Sequence, residues 1–482
     1  MTGDFLLDQF QLIHPEQGIF RIGQYTPVSI RDQIVRSCYL VERLWTTGRL
    51  RPESKLLIIG AGAAGVTAAF RAVAHGVRHV QISDQSDAPL SLQAHCTTRL
   101  VDPVQSDWPA GYWDLKCWPI AGPSGFAHGT ASAIKPPVLL QADLAFNWAI
   151  QFERALYALE SNGRATFYPQ LKAIDWYAAP AGCYQVEFDD AITGASAGSL
   201  DADLIIFAGG FGQESVSVPV TGQPSTRHSG LPFWSDDTFE KQNFGLPAVP
   251  HGVLVSGAGD GALQDFIRLV TGLKSARDVW KVVEPCLLDY NARRQLETLW
   301  HWEELAYRSD AFAPEYSSRC DTLAKLHARY QSMVDRAIVN GAYWKSIIAA
   351  LDGVIVPPRP TNKIFLATKA AHFDGCYPLN RLVALVCIAY IKHKYPKHNP
   401  VLDQRAVKSV KPVAPGVKWG AIDVEFALST SCATTVKEIE AWTCPTTTAG
   451  FDGLVIRHGI DTATLSIKTS RLSLQPVPAH LP

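Results

Sequence analysis

The chain has 482 residues, with 44 basic and 45 acidic side chains and a formal net charge of −1. At about 150 residues per domain this length predicts two or three domains, and an apolar content of 47% is enough to fill their cores. The balanced charge argues against nucleic acid or an anionic membrane as partner, because both are bound through basic surfaces.

The ten cysteines form no C-x-x-C pair and no Cys/His cluster with zinc spacing, so we predict reduced, buried thiols and no metal site. The first residues, MTGDFLLDQFQLIHPEQG, lack a basic region followed by an apolar stretch, so no signal peptide is predicted. The apolar segment Leu382–Ile391 is about half of the ~20 residues that a membrane span needs. We therefore expect a cytoplasmic protein with a small-molecule substrate and no membrane partner; a homo-oligomer stays an open alternative.

Residues 1–50 are predicted to pack as helices outside the first strand, which is the apolar run Leu56–Ile59. The segment that follows reads G-A-G-A-A-G over residues 60–65, and an Ala-rich helix is predicted from Ala63 to Ala74. His79–Ser83 is predicted as the next strand, and it ends at Asp84.

This order of elements predicts a dinucleotide site. Gly60 makes the tight turn, Gly62 lets the backbone approach a pyrophosphate, and Gly65 lets the helix pack on the strand. The amides of Ala63 and Ala64 at the helix start then face the phosphates. Asp84 lies nineteen residues after Gly65, close to the spacing at which an acid binds the ribose. The alternative is an ordinary glycine-rich turn between a strand and a helix.

Three short strands of a β-meander are predicted next, at Thr166–Tyr168, Ala173–Tyr177 and Tyr184–Phe188. Before them, Trp108–Pro119 concentrates three Trp and one Tyr. These rings suit either core packing or stacking on a flat cofactor or substrate ring.

A second glycine turn follows the short strand Val253–Val255. Gly257, Gly259 and Ala262 give G-x-G-x-x-A, the variant with alanine in the third place. Val279–Val283 is predicted as the next strand, and it closes on Glu284, which would favour NAD over NADP; Arg293 and Arg294 nearby would reverse that preference. Asp260 puts a carboxylate inside the turn, so the site is either modified, with that side chain turned away, or empty.

Two further segments resemble each other. D-A-D-L-I-I-F-A-G-G (201–210) and D-G-L-V-I-R-H-G (452–459) each combine an acid, an apolar strand and a terminal glycine. We predict that each closes the sheet begun by one glycine turn. Residues 285–409 have mainly helical spacing. Lys408–Gly420, which contains two prolines, is predicted as a linker or loop.

Together these residues resemble flavoproteins with two dinucleotide-binding domains, the superfamily of flavin monooxygenases and pyridine-nucleotide-dependent flavin reductases. The resemblance covers roughly residues 50–290 and implies an α/β fold of two Rossmann-like domains with a β-meander insertion and a largely helical insertion. It also implies FAD at the first turn, with Arg99 at its pyrophosphate and Gly209 in the segment that crosses between domains. NAD(P)H is implied at the second turn, and the helical insertion is implied to contact the substrate.

The implied domains are a helical extension (1–50) and a first, FAD-binding domain (51–215). A second domain of the NAD(P) type follows in two pieces (250–284 and 410–470). Between the two pieces lies the helical insertion (285–409), and the chain ends in a tail (471–482). The predicted function is an FAD-dependent oxidoreductase, linked to NAD(P)H, that reduces or oxygenates a small molecule. The alternatives are an amine or amino-acid oxidase with a degenerate second site, and a non-catalytic dinucleotide sensor. His372, two residues before Asp374, is either a general base held by that carboxylate or an ordinary loop histidine. His458, beside the second closing strand, would lie near the nicotinamide or be an ordinary histidine, so no catalytic residue is assigned.

Overall fold

A computed structural model of the protein describes most of the chain in separate stretches: 18–22, 30–102, 105, 108, 143–179, 182–210, 212–246, 249–287, 294–299, 302, 316–341, 343–355, 359–373, 375–412, 422–428 and 446–461. The chain divides into two compact units. The first comprises residues 1–213 and 461–479, and the second comprises 214–460 and 480–482. Within the described stretches, no helix is long and apolar enough to cross a membrane.

The first unit is built on a parallel five-stranded sheet with the order β1-β10-β2-β3-β6. Its strands are Ile19–Arg21 (β1), Lys55–Ile59 (β2), His79–Ser83 (β3), Ala165–Tyr168 (β6) and Leu204–Phe207 (β10). The central strands β10 and β2 are buried on both faces, as expected for a parallel sheet. Two short strands, Leu100–Val101 (β4) and Asp143–Leu144 (β5), pair with each other. The helices are Ile30–Thr46 (α1), Ala63–Ala74 (α2), Ser91–Ala94 (α3) and Ala145–Ser161 (α4).

An antiparallel meander packs against this parallel sheet. It consists of Leu171–Ala178 (β7), Tyr184–Asp190 (β8) and Ser196–Ala202 (β9). Trp176, Val186 and Phe188 from the meander share one buried cluster with Leu57 and Phe207 from the parallel sheet. This shared core joins the two layers of the unit.

The second unit has a parallel four-stranded sheet with the order β16-β15-β14-β20. Its strands are Val253–Ser256 (β14), Ile364–Ala367 (β15), Val401–Leu402 (β16) and Gly453–Ile456 (β20). A five-stranded sheet covers one face and contains Ser217–Val220 (β12), Gln223–Ser229 (β13), Arg405–Pro412 (β17), Ile422–Leu428 (β18) and Thr446–Phe451 (β19). Two short strands, Gln213–Glu214 (β11) and Ile460–Asp461 (β21), lie at the boundaries between the units.

The helices of the second unit are Asp260–Thr271 (α5), Ala276–Val283 (α6), Tyr316–Met333 (α7), Trp344–Val354 (α8) and Pro378–Lys394 (α9). The α7 helix continues as a π-helix over Val334–Val339, and two 3₁₀ turns cover Glu284–Cys286 and Thr361–Lys363. Except for α5 and α9, these helices lie between α5 and β15 in the chain.

The predicted duplication is confirmed in strand order and in register. In the first unit β10 lies parallel to β2, with Ile206 beside Ile58, and in the second unit β20 lies parallel to β14, with Val455 beside Val255. Each glycine turn therefore has the closing strand that the sequence predicts for it.

The acid before each closing strand has the same structural role in both units. The Asp203 carboxylate accepts a hydrogen bond from the N–H of Lys55 at 2.8 Å, and the Asp452 carboxylate accepts one from the N–H of Gly252 at 2.8 Å. Each acid thus fastens the start of the central strand to the start of the closing strand. The connection into the long antiparallel strands repeats as well, because Gln170 (φ 58°) and Gln404 (φ 55°) both adopt left-handed backbone conformations there.

Three predictions of secondary structure are wrong. Val279–Val283 is not a strand but the second half of α6, and the strand beside β14 is instead β15. Thr166–Tyr168 belongs to the parallel sheet rather than to the meander. Residues 19–21 form an edge strand, although only helices were expected before β2.

The range predicted as a helical insertion, 285–409, also contains β15, β16, α9 and the first part of β17, which belong to the sheets of the second unit. The added helices therefore enter between the first helix and the second strand of that unit. The predicted linker from Lys408 begins inside β17, and its residues 413–420 lie outside the described stretches.

Candidate functional site

The first glycine turn lies at the carboxyl end of β2, where closely approaching backbone requires glycine. Gly60 has φ +109°, and a Cβ atom placed on it would lie 2.4 Å from the carbonyl oxygen of Ala208. The Ala208 N–H in turn donates to the carbonyl of Ile59 at 2.7 Å. The segment that follows the closing strand therefore passes directly over the turn.

Gly65 and Gly62 differ in what surrounds them. A Cβ on Gly65 would lie 1.8 Å from the carbonyl oxygen of Gly60, so only glycine lets α2 pack this close to the turn. A Cβ on Gly62 would meet nothing within 4 Å. Protein atoms therefore fill the space next to Gly65, whereas the space next to Gly62 is open. At Gly62 a pyrophosphate could approach the protein backbone closely.

The start of α2 presents backbone donors on this open side. The N–H of Val66 donates to the carbonyl of Gly62 at 3.0 Å, which begins the helical hydrogen-bond pattern. The N–H groups of Ala63, Ala64 and Gly65 come before that bond, and such first-turn amides bind anions with the help of the helix dipole. The predicted residues 60, 62, 63, 64 and 65 are therefore together in one turn, and its binding of a phosphate stays a prediction.

Asp84 follows β3 next to this turn, but its carboxylate bonds to the protein backbone. One oxygen, Oδ2, accepts from the N–H of Ala61 at 2.6 Å, and the other, Oδ1, accepts from the N–H of Ser86 at 2.8 Å. The acid predicted to bind a ribose is therefore in place beside the turn and also hydrogen-bonded to it.

Gly209 and Arg99 are the remaining predicted residues of the first unit. A Cβ on Gly209 would meet no atom within 4 Å, so this position is open. Arg99 lies just before β4 and is buried, with 3% of its surface exposed. Its backbone carbonyl accepts a hydrogen bond from the N–H of Ala145 at 2.9 Å. Its role at a pyrophosphate stays a prediction.

The second glycine turn repeats the close backbone contact of the first. Gly257 has φ +144°, and a Cβ on it would lie 2.3 Å from the carbonyl oxygen of Arg457 and 3.0 Å from the Cβ of Ala262. Gly259 is the N-cap of α5, and its carbonyl accepts from the N–H of Leu263 at 3.1 Å. Alanine in the third place is accommodated because Ala262 is buried against the turn with 1% exposure.

The carboxylate of Asp260 bonds to the start of α9 and to its own helix. Its Oδ1 accepts from the N–H of Tyr377 at 3.1 Å and from the side-chain amide of Asn380, and its Oδ2 accepts from Gln264 at 2.9 Å. Tyr377 is the N-cap of α9. The in-turn carboxylate therefore caps a neighbouring helix, and the occupancy of the second turn stays a prediction.

Glu284 does not end a strand of the sheet, because it begins the 3₁₀ turn after α6. In the second unit, the residue that corresponds to Asp84 is the one that follows β15. The N–H of Gly60 donates to the carbonyl of Ser83, the residue before Asp84. In the same way, the N–H of Gly257 donates to the carbonyl of Ala367, the residue before Thr368. The sequence analysis missed Thr368 and the half-buried Lys369 beyond it, although the apolar run Ile364–Ala367 was a usable signal.

His458 follows the second closing strand and contacts the end of β14. Its Nε2 lies 2.7 Å from the hydroxyl of Ser256. Burial lowers the pKa of His458 to about 3, and the nearby charges of Lys369 and Arg227 lower it further in the same direction. The ring is therefore neutral at pH 7, and two cations, Lys369 and Arg227, lie near it.

A second group of basic side chains is buried within the helical part of this unit. The Phe373 N–H lies 3.5 Å from Nδ1 of His327, and Arg381 donates to the carbonyl of Phe373 at 3.1 Å. Burial, with Arg381 and His372 nearby, lowers the pKa of His327 to about 3. The predicted partner of His372, Asp374, lies outside the described stretches, as does the aromatic segment after Trp108.

A surface groove of about 490 Å³ lies between α7 and the described residues 294–299 and 302. The guanidinium of Arg329 stacks on the indole of Trp302, 4.0 Å from the ring centroid. The described lining residues carry two positive charges and no negative one: Gln295, Thr298, Leu299, Trp302, Arg329, Ser332, Met333 and Arg336. Among the described residues, no group of three or more His, Cys, Asp or Glu side chains is placed to hold a metal ion.

Comparison with known proteins gives matches to solved structures alone. No protein-family model matches the sequence, and no curated protein sequence matches it. Thioredoxin reductase of Lactococcus lactis in the FR conformation overlaps with a TM-score of 0.37 at 9% identity, over 85% of this chain and 78% of that chain. The FAD-bound cadaverine monooxygenase DfoA of Erwinia amylovora gives 0.37 at 10% identity, over 85% and 78%.

Ornithine hydroxylase PvdA of Pseudomonas aeruginosa overlaps with a TM-score of 0.33 at 8% identity, over 85% of this chain and 83% of that chain. Overlaps this loose do not establish an activity. The α/β fold with two glycine turns at the ends of two parallel sheets follows from the geometry of this chain itself.

Proposed function

We propose that this protein is an FAD-dependent oxidoreductase whose electrons come from a nicotinamide dinucleotide. FAD would bind at the first glycine turn and the nicotinamide dinucleotide at the second. The observation that carries the proposal is the first turn, which is sealed by protein at Gly65, open at Gly62, and followed by the unpaired first-turn amides of α2.

The residues of the first turn fit a dinucleotide pyrophosphate. The backbone of Gly62 would lie against it, because a side chain there would occupy the open space, and the amides of residues 63–65 would bind its oxygens. Gly209 leaves the adjoining position open as well. When bound, FAD supplies the acceptance and donation of a hydride, so the protein needs no catalytic triad of its own.

The second site fits NADPH better than NADH. The preference for NAD rested on Glu284, which lies at the end of a helix and not at the end of a strand. At the corresponding place this unit has Thr368 and Lys369, and an acid there would bind the free 2′-hydroxyl whereas a cation would attract a 2′-phosphate. Asp260 does not oppose binding, because its carboxylate is directed to the N-cap of α9.

The visible absorption spectrum tests this function directly. The purified protein, reconstituted with FAD, is expected to show flavin bands that bleach when NADPH is added under nitrogen. Bands that persist with both NADPH and NADH, yet bleach with an amine or amino acid, would favour the oxidase with an unused second site. A protein that binds a nicotinamide dinucleotide but no FAD would favour the sensing module and contradict the proposal.

The Lys369→Gln variant tests the choice of donor. Loss of one charge-assisted contact to a phosphate is expected to weaken NADPH binding roughly tenfold or more. NADH binding should stay unchanged, because NADH lacks that phosphate. The exposed Lys397, replaced by Gln in the same unit, serves as the control for a general loss of positive charge. Equal effects on both nucleotides would contradict the assignment of Lys369.

We assign the substrate to the helices between α5 and β15. The groove beside Trp302 is formed there, and its two arginines suit a substrate with a planar ring and a negative charge. Small aromatic acids are therefore expected to accelerate NADPH oxidation more than the corresponding amides, and Arg329→Gln should raise KM for such acids while leaving the flavin spectrum unchanged. No acceleration by any acid, or equal acceleration by acid and amide, would contradict this assignment.

A further inference from the structure

We infer that His458, together with Lys369 and Arg227, binds a phosphate group of the ligand at the second glycine turn, and that Nδ1 of His458 donates a hydrogen bond to it. This inference rests on the proposed binding of a nicotinamide dinucleotide at that turn. It adds two residues to Lys369 and assigns a single atom of the histidine to the ligand.

The structural repeat shows which residue of the first unit His458 corresponds to. The N–H of Ala208 donates to the last residue of β2 at 2.7 Å, and the N–H of Arg457 donates to the last residue of β14 at 2.8 Å. His458 therefore corresponds to Gly209, where a Cβ would meet no atom within 4 Å. The glycine that comes next is left-handed in both units, with φ +82° and +88°. The second unit thus has an imidazole at a position that the first unit leaves open.

The imidazole of His458 is bonded to the end of β14. Its Nε2 lies 2.7 Å from the hydroxyl of Ser256, which corresponds to the apolar Ile59 at the end of β2. A serine hydroxyl donates to an imidazole nitrogen, and the proton of the neutral ring is then on Nδ1. The polar pair Ser256 and His458 therefore fixes the ring and makes Nδ1 a donor.

The Nδ1 atom of His458 has no acceptor in the part of the chain that the structure describes. The atom is buried, whereas the residue as a whole is only half-buried. Buried donors are nearly always satisfied by protein, water or ligand, because an unsatisfied donor is destabilising. This nitrogen therefore points to an acceptor that comes from outside the described residues.

Two basic side chains lie near the same ring. Burial lowers the pKa of His458, and the positive charges of Lys369 and Arg227 lower it further. Lys369 comes soon after β15, whose last residue lies beside the last residue of β14. Arg227 lies on β13, and a Cβ on the residue after that strand, Gly230, would lie 3.5 Å from the side chain of Ile456. Three separate elements therefore bring basic groups to one place.

The guanidinium of Arg227 is held in a fixed direction. Its Nε donates to the hydroxyl of Ser217 at 2.9 Å, and its Nη2 donates to the carbonyl of the same residue at 3.0 Å. Neither of these two acceptors carries a charge. Two cations and an N–H donor around one point attract an anion with several acceptor oxygens, and in a dinucleotide that anion is a phosphate group.

Two variants of His458 separate the roles of its two nitrogens. The side-chain NH₂ of His458→Asn lies near the place of Nδ1, whereas the longer side chain of His458→Gln reaches the place of Nε2. Ser256→Ala removes the bond at Nε2 alone and is the matched control. The protein carries FAD at the first turn, and ADP and 2′,5′-ADP are the probes, because neither can reduce the flavin. Calorimetry measures their binding.

His458→Gln is expected to weaken the binding of at least one of the two nucleotides roughly tenfold or more, because it loses the donor at the place of Nδ1. His458→Asn and Ser256→Ala should stay within about threefold of the wild type. If His458 acts only through Ser256, the order is reversed, and Gln is the variant that binds normally. The reversed order, or normal binding by all three variants, overturns the inference.

The two nucleotides also identify the phosphate group. A loss for 2′,5′-ADP with ADP unchanged assigns the 2′-phosphate to His458, and a loss for ADP of at least the same size assigns the pyrophosphate. If the variants of His458 fail to fold, the exposed Arg227→Gln decides, with the exposed Lys397→Gln as the control for charge. Arg227→Gln is expected to weaken binding by about threefold or more beyond Lys397→Gln. Equal binding by these two variants overturns the inference.

Inorganic phosphate distinguishes failure of this inference from failure of the proposed function. If neither NADPH nor NADH bleaches the flavin, yet phosphorus NMR shows that phosphate binds and that His458→Gln weakens it, the proposed function fails and the phosphate site stands. If NADPH bleaches the flavin and all three variants bind every probe as the wild type does, the inference fails and the proposed function stands.

Discussion

At the scale of single residues, the three glycines of the first turn have different functions although they share one motif. Gly60 allows the crossing segment to approach, Gly65 allows the helix to approach, and Gly62 faces open space. The first two therefore serve the fold, and the third leaves the space that the proposed FAD would occupy. Substitution of each by alanine should separate these functions.

Gly65→Ala is expected to destabilise the first unit by about 1–3 kcal/mol or more, because its Cβ would lie 1.8 Å from the Gly60 carbonyl oxygen and the helix would have to move. Gly62→Ala is expected to leave the unfolding of the apoprotein nearly unchanged, since its φ of −72° suits alanine. It should nevertheless weaken FAD binding by filling the space for the pyrophosphate. Urea unfolding and FAD titration measure the two effects.

Equal loss of stability in the two variants would mean that the turn tolerates no side chain at either place. Unchanged FAD affinity in Gly62→Ala would mean that the pyrophosphate binds elsewhere.

At the scale of elements, the helix α9 depends on a residue from another helix for its start. Asp260, in the first turn of α5, accepts from the N-cap N–H of Tyr377 and from the side chain of Asn380. Carboxylates near helix N-termini are stabilising because they satisfy free N–H groups and oppose the helix dipole. The second glycine turn and α9 are therefore joined through this one carboxylate.

Asp260→Ala should lower the free energy of unfolding of the second unit by about 1–3 kcal/mol, because it leaves the buried donors at the start of α9 without their acceptor. Gln264→Ala removes just the contact to the other carboxylate oxygen, and is the control with little expected effect. Hydrogen exchange of α9 amides gives the location of the change. Faster exchange in Gln264→Ala than in Asp260→Ala would contradict the capping role.

Helix α6 shows why one element was predicted wrongly. The apolar run at 279–283 is short enough for a strand, and five residues do not separate a period of two from one of 3.6. Over its full length the buried residues are 276, 279, 280 and 283, the spacing of a helix face. The hydroxyl of Ser275 accepts from the N–H of Asp278 at 3.2 Å, so S-A-R-D was the start signal.

At the scale of the whole molecule, the two units differ in the titratable groups that they bury. In the second unit burial lowers the pKa of four histidines, His228, His327, His398 and His458. For His327 and His458 the pKa falls to about 3. In the first unit, hydrogen bonds from His75 and Arg71 lower the pKa of Glu42 to about 2. These groups act in different ranges of pH.

Acid is therefore expected to destabilise the second unit first. Its histidines take up protons in the unfolded chain near pH 6.5 but resist protonation when folded, so its stability falls as the pH falls below 6.5. The stability that ionised Glu42 gives to the first unit is lost only below its ordinary pKa of 4.5, as the pH falls toward 2. Pulse proteolysis in urea at pH 7 and pH 5, with the fragments identified by mass, measures each unit.

The double variant His327→Asn, His458→Asn should reduce the difference between pH 7 and pH 5 in the second unit. A first unit that loses more stability than the second over this interval would contradict the assignment.

The sequence by itself determined the α/β class, both glycine turns, and the pairing of each turn with its closing strand. It could do so because these features are local: a buried strand is a short apolar run, and a glycine is needed where two backbones meet. Only the tertiary structure decided what depends on distant residues: Lys369 rather than Glu284 follows the second strand, Asp260 caps α9, and Asp84 bonds to the turn. Spacing along the chain does not encode these contacts, since about ninety residues separate the end of α5 at Thr271 from the start of β15 at Ile364. A carboxylate bonds to whichever donors the packed elements bring to it.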